Sequence, residues 1–79
     1  MNAYTVMIET TPNKASAKKR FELLKSRHIH SRIATLHLDN QTYYSVQAGP
    51  FTQRKEALTQ LDAIKKLGIR HAFITRNAQ

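Results

Sequence analysis

The sequence contains no cysteine, so neither a disulfide framework nor a thiolate metal site can be built from it. Acids are also scarce: 5 Asp and Glu stand against 13 Lys and Arg, giving a formal charge of +8. That imbalance draws the chain toward an anionic partner or surface without saying which anion. No apolar run approaches the roughly 20 residues a membrane span requires, and Met1 opens no signal-peptide pattern. Work outside the cytoplasm would therefore need a longer parent chain to carry the domain there. With only 2 glycines there is no phosphate-cradling loop. At 79 residues the chain makes one domain over 1–79, its core spanning about 4–76. A chain this short buries only about two thirds of the surface it exposes when unfolded, so the core is thin.

What is present has clear periodicity. Tyr4, Val6 and Ile8 alternate with Thr5, Met7 and Glu9, the pattern of a strand covered on one face. Thr11 is placed to cap a helix that starts with Pro12 and runs to about Ser26, with Ala17, Phe21 and Leu24 as its apolar stripe. Ala34, Leu36 and Leu38 alternate with Thr35 and His37 ahead of the Asp39, Asn40, Gln41, Thr42 cluster, which reads as a hairpin into a third strand. In that strand Tyr44, Val46 and Ala48 point one way and Tyr43, Ser45 and Gln47 the other; Gly49 and Pro50 are expected to stop it. Thr52 is placed to cap a second helix with Ala57, Leu58, Leu61 and Ile64 on its stripe and Gly68 at its C-terminal end. Ala72 and Ile74 make a last short strand.

The order βαββαβ predicts an α+β fold of ferredoxin-like or RNP-like type, a four-stranded antiparallel sheet with both helices on one face. Its halves repeat at an offset of 40 residues: Tyr4 answers Tyr44, Val6 answers Val46, Ala17 answers Ala57, Leu24 answers Ile64, Ile29 answers Ile69, and Ile33 answers Phe73. Two copies are too few for a solenoid, so the repeat reads as one interleaved domain. The sheet face away from the helices is expected to carry Thr5, Met7 and Glu9, then Ile33, Thr35 and His37, then Tyr43, Ser45 and Gln47, then His71, Phe73 and Thr75. Antiparallel sheets commonly wet one face. Tyr43, Ile33 and Phe73 sit awkwardly with that reading, because clustered solvent-facing apolar groups often mark binding surfaces.

Tyr44, Val46, Gly49, Pro50, Phe51, Arg54 and Ala57, followed by Leu61, Gly68, Ala72, Phe73 and Ile74, resemble the second half of the SPOR domains, which bind peptidoglycan in bacterial cell envelopes. The likeness extends over about Tyr4 to Arg76. In the first half Met7, Glu9, Thr10 and Thr11 stand where the family commonly has Gln, Gly, Ser and Phe. The resemblance implies a non-catalytic module that targets its parent protein to the cell wall or division septum. It implies a periplasmic location through an anchor or signal in that parent, with glycan strands as partner alongside other division or wall-remodelling proteins. On the open face it implies a glycan site made of Thr35, Tyr43, Ser45, Gln47, Phe73, Thr75 and Met7, with Arg54 beside it, and no cofactor.

Other readings are weaker. Lys14, Lys18, Lys19, Arg20, Lys25 and Arg27 crowd helix one and its exit, which reads first as a solvated surface. The alternative function is RNA binding, since the RNA-recognition motif shares the element order, but its Gly- and aromatic-rich strand-three signature is missing. His28 and His30 lack the further ligands a metal needs. Ser45, His71 and Glu9 would need an improbable alignment to form a triad. The sequence reads as a binding module with no catalytic or metal residues.

Overall fold

A computed structural model describes residues 2–78. The elements are β1 (Asn2–Thr11), α1 (Lys14–Ser26), β2 (Arg32–Leu38), β3 (Gln41–Phe51), α2 (Arg54–Lys65) and β4 (Phe73–Ala78). The strands form one antiparallel sheet in the order β2-β3-β1-β4, so the expected central pair of β1 and β3 is present. Both helices pack on the same face of that pair. Val6, Ile8, Val46 and Ala48 of the sheet meet Ala17 and Leu24 of α1 and Ala57 and Ile64 of α2, all fully buried. Alanine at the two contact points lets each helix lie close to the strands. Leu58, expected on the α2 stripe, is instead 40% exposed.

Helix α1 starts two residues later than expected and α2 one residue later. The side-chain carbonyl of Asn13 accepts from the Ser16 N–H at 3.1 Å, making Asn13 the N-cap and leaving Pro12 outside the helix. Thr11 stays in β1 and its hydroxyl accepts from the Asn13 N–H at 3.1 Å, which fixes the corner before the helix. Gln53 takes the cap position of α2 without a side-chain bond, so Thr52 does not cap.

Register explains the larger departures. Asp39 and Asn40 both have positive φ, 49° and 63°. This is the two-residue type I′ turn that suits the natural strand twist. Leu38 therefore pairs with Gln41, Leu36 with Tyr43, Ala34 with Ser45 and Arg32 with Gln47. The expected hairpin cluster extended two residues too far. Directly opposite residues share a face, so Arg32, Ala34, Leu36 and Leu38 lie on the open face with Gln47, Ser45 and Tyr43, while Ile33, Thr35 and His37 face the helices. The apolar alternation of Ala34, Leu36 and Leu38, which reads as a core stripe, is here a flank of the open face. In β1 a register shift between Met7 and Glu9 moves Glu9 to the helix side. There its carboxylate accepts from Arg20 Nε at 3.0 Å in a half-buried ion pair. Gly49 and Pro50 do not end β3, which continues through a second register shift to Phe51, opposite Tyr4.

The repeat survives as near-symmetry. Met7 pairs with Gln47, its own counterpart at the 40-residue offset, so the pseudo-twofold axis passes between them. The pairing Tyr4 with Phe51 is mirrored by Tyr44 with Thr11. Degree of burial agrees at every pair between residues 3–30 and 43–70 except Arg27 and Leu67. Beyond that the offset becomes 41: Ile33, opposite Val46, corresponds to Ile74, opposite Val6, and not to Phe73. Both helices end on a residue of positive φ, Gly68 at 94° and His28 at 60°. At His28 the N–H of Ile29 bonds the carbonyl of Leu24 and that of His28 bonds Lys25, a Schellman closure that glycine suits better. His28→Gly is expected to raise stability by about 0.5–1 kcal/mol, read as a higher denaturation midpoint with unchanged slope.

Candidate functional site

The open face is organised by one row that crosses all four strands: Arg32, Gln47, Met7 and Phe73, each the register partner of the next. At the usual strand spacing this row spans about 14 Å. Behind it, toward the hairpin, Ala34, Ser45 and Thr10 make a second row, and Leu36 and Tyr43 a third.

A hydrogen-bonded chain holds the centre. Arg32 donates through Nη2 to Gln47 Oε1 at 3.1 Å and through Nη1 to the Gly49 carbonyl. Gln47 Nε2 donates to Ser45 Oγ at 3.0 Å, and Thr10 Oγ1 donates to the same oxygen at 3.3 Å. The two ends of the Gln47 amide are thus pinned, leaving one N–H and one lone pair for a ligand. Arg32 is exposed and anchored at two nitrogens, which leaves its remaining donors free for a ligand. The fork geometry is one that lysine could not reproduce. At the β4 edge Thr75 Oγ1 reaches the Thr5 carbonyl at 3.5 Å. Each end of the Arg32–Phe73 row meets a hollow. One, of about 310 Å³, lies beside Arg32, Gly49, Pro50 and His30. The other, of about 130 Å³, lies beside Met7, Thr10, His71 and Phe73.

The expected site residues divide accordingly. Tyr43, Gln47, Met7, Phe73 and Thr75 are together on the open face, and Phe73 is 55% exposed. Ser45 is on that face but fully buried, so its hydroxyl orients Gln47 and does not offer itself to a ligand. Thr35 is on the opposite side, in a cleft with Tyr44 and Phe21, because its register partner is the helix-facing Tyr44. Arg54 begins α2, away from the face, and makes no hydrogen bond or ion pair among the described residues. His71 precedes β4 and joins the site only through the smaller hollow. Glu9 lines the smaller hollow with His71, but its carboxylate is paired with Arg20, and no hydrogen bond joins it to Ser45 or His71 among the described residues.

Arg32 was legible only through the turn. Asp39-Asn40 is a good type I′ dipeptide, and counting outward from it puts Arg32 opposite Gln47. Leu36 and Leu38, 36% and 57% exposed, follow from the same count and add an apolar flank beside Tyr43.

A helix-backed sheet whose central strands hold a polar network at its open surface is the architecture of a small surface-binding module. The chain belongs to the SPOR domain family, whose model matches residues 1–75. Among solved structures it is similar to the crystal structure of the RlpA SPOR domain from Pseudomonas aeruginosa. That likeness has a TM-score of 0.81 at 16% identity over 94% of this chain and 99% of the other. It is also similar to the solution structure of the peptidoglycan binding domain of the B. subtilis cell wall lytic enzyme CwlC. There the TM-score is 0.74 at 23% identity over 99% of this chain and 92% of the other. No curated protein sequence matches it.

Proposed function

We infer that this chain is a non-catalytic peptidoglycan-binding module that works at the cell wall, and that its ligand is the glycan strand, taken on the open sheet face. Family membership, together with a fold shared with a peptidoglycan binding domain, supports the ligand class. The observation that carries the site is the chain Arg32–Gln47–Ser45–Thr10 at the centre of that face. N-acetylated sugars present hydroxyls and acetamides to Gln47 and Arg32 and flat apolar faces to Phe73, Met7 and Tyr43. Each neutral hydrogen bond contributes about 1 kcal/mol net, and a shallow face buries little of the ligand, so affinity on the order of micromolar is expected. Strands stripped of stem peptides are the expected form of the ligand, as membership of the family implies. In this reading the module directs a parent protein of the envelope to wall or septum.

Substitution tests the site. Gln47→Ala is expected to weaken binding to purified glycan strands five- to tenfold, about 1 kcal/mol or more, while stability moves by no more than about 0.5 kcal/mol. Val46→Ala should do the reverse, lowering the melting temperature through lost core methyls while the folded fraction keeps its affinity. Co-sedimentation with sacculi, intact and amidase-treated, beside single-stranded RNA at two salt concentrations, tests the ligand class. Retention of RNA alone would replace glycan with nucleic acid. The face argues against that outcome, because its two central strands present Met7 and Gln47 in the middle row where paired stacking aromatics would be needed.

A further inference from the structure

We propose that the outer edge of β2, with the cleft between β2 and α1, binds an extended acidic peptide segment of another protein by strand addition. β2 is an edge strand, and its seven residues pair with β3 without interruption, from Arg32 with Gln47 to Leu38 with Gln41. It has none of the bulges, prolines or lysines that normally blunt such an edge, so its outer row of N–H and C=O groups is straight and unguarded. On the helix side a cleft of about 430 Å³ runs alongside it, floored by Phe21, Ile33 and Tyr44 and rimmed by Lys14 and Lys18, with Glu22 in its wall. Neither lysine has an ion-pair partner among the described residues.

These features fix the occupant. A strand added to β2 sends alternate side chains to the two faces of the sheet. Those on the helix side meet the apolar floor and then the lysines, which selects an apolar residue flanked at two-residue spacing by carboxylates. Those on the other side lie beside Ala34, Leu36 and Leu38 and favour apolar character. A second copy of this chain is a poor occupant, because pairing two β2 edges would bring both sets of Lys14 and Lys18 together on molecules that each carry +8. An acidic segment relieves that same field. The mode is main-chain pairing for affinity, with the cleft and lysines for specificity.

The test uses the whole domain, isotopically labelled, and the acetylated nonapeptide amide Ser-Asp-Glu-Leu-Val-Leu-Glu-Asp-Ser, beside a version with lysine at every acidic position. The acidic peptide is expected to shift the resonances of Lys14, Lys18 and Tyr44 and to slow amide exchange along β2. Lys14→Glu with Lys18→Glu is expected to weaken it about tenfold or more. Both lysines are exposed, so the double variant should keep its fold and its glycan affinity. The proposal is overturned by equal binding of the lysine peptide or by an unchanged affinity in the double variant. Shifts confined to Gln47 and Phe73, no response at millimolar peptide, or self-association of the free domain through β2 would overturn it equally. Glycan affinity measured on the same sample keeps this result separate from that of the open face.

Discussion

Gly49→Ala is expected to lower stability by about 3 kcal/mol, a fall in melting temperature of roughly 12–24 °C for a domain of this size. Two costs combine. Gly49 has φ of 112°, a conformation that L side chains rarely adopt, and holding alanine there costs about 1–3 kcal/mol. A Cβ would also lie 3.0 Å from the Tyr4 carbonyl oxygen and 3.1 Å from Phe51 Cδ2. The first of these is backbone in the central strand pair, so relief requires β1 and β3 to move apart at their bulge. Gly68→Ala is the control: φ is 94° there, but nothing lies within 4 Å of the new methyl, and only the conformational term of about 1 kcal/mol remains. Equal losses at the two positions, measured by thermal or denaturant unfolding, would mean that the close approach at the bulge contributes nothing.

The same glycine links fold to site, because its carbonyl is one of the two anchors of Arg32. Arg32→Ala is expected to reduce glycan affinity about 10- to 100-fold, the span for hydrogen bonds involving a charged group of about 1.5–3 kcal/mol. It should exceed the Gln47→Ala effect for two reasons: the charge itself meets lactyl carboxylate or anionic wall polymer, and its loss frees Gln47 Oε1 from the bond that orients the amide. Stability should stay within about 0.5 kcal/mol, since Arg32 is exposed and outside the core. Arg32→Lys separates charge from geometry. If the fork matters, lysine recovers only part of the loss; full recovery would reduce the role of Arg32 to field alone.

Patterns that act over many residues were readable in the chain. The period-two and helical stripes at Val6, Ile8, Ala17, Leu24, Val46, Ala57 and Ile64 predict the elements and the core, and each of these residues is buried. The central pairing of β1 with β3 follows from the repeat, and the pseudo-twofold axis at Met7 and Gln47 realises it. What failed depends on single-residue parity. Reading Ala34, Leu36 and Leu38 as a core stripe, and carrying the 40-residue offset past Ile69, both assign β2 the wrong face, which places Thr35 in the site and leaves Arg32 out. Glu9 failed because a bulge has no signature in hydrophobic alternation. Ser45 was assigned to the right face, but its burial arises from the bonds that Gln47 and Thr10 make to it, a tertiary effect that alternation does not encode.

The central claim is that the glycan lies on the open sheet along the row from Arg32 to Phe73. It is tested most directly by titrating the labelled domain with purified glycan strands free of stem peptides and following every backbone amide and the Gln47 side-chain NH₂. The row predicts the largest perturbations at Arg32, Ser45, Gln47, Met7 and Phe73, with α1 and α2 unmoved. Perturbations gathered on Lys14 to Lys25 and on α2, with the Gln47 side chain silent, would contradict it.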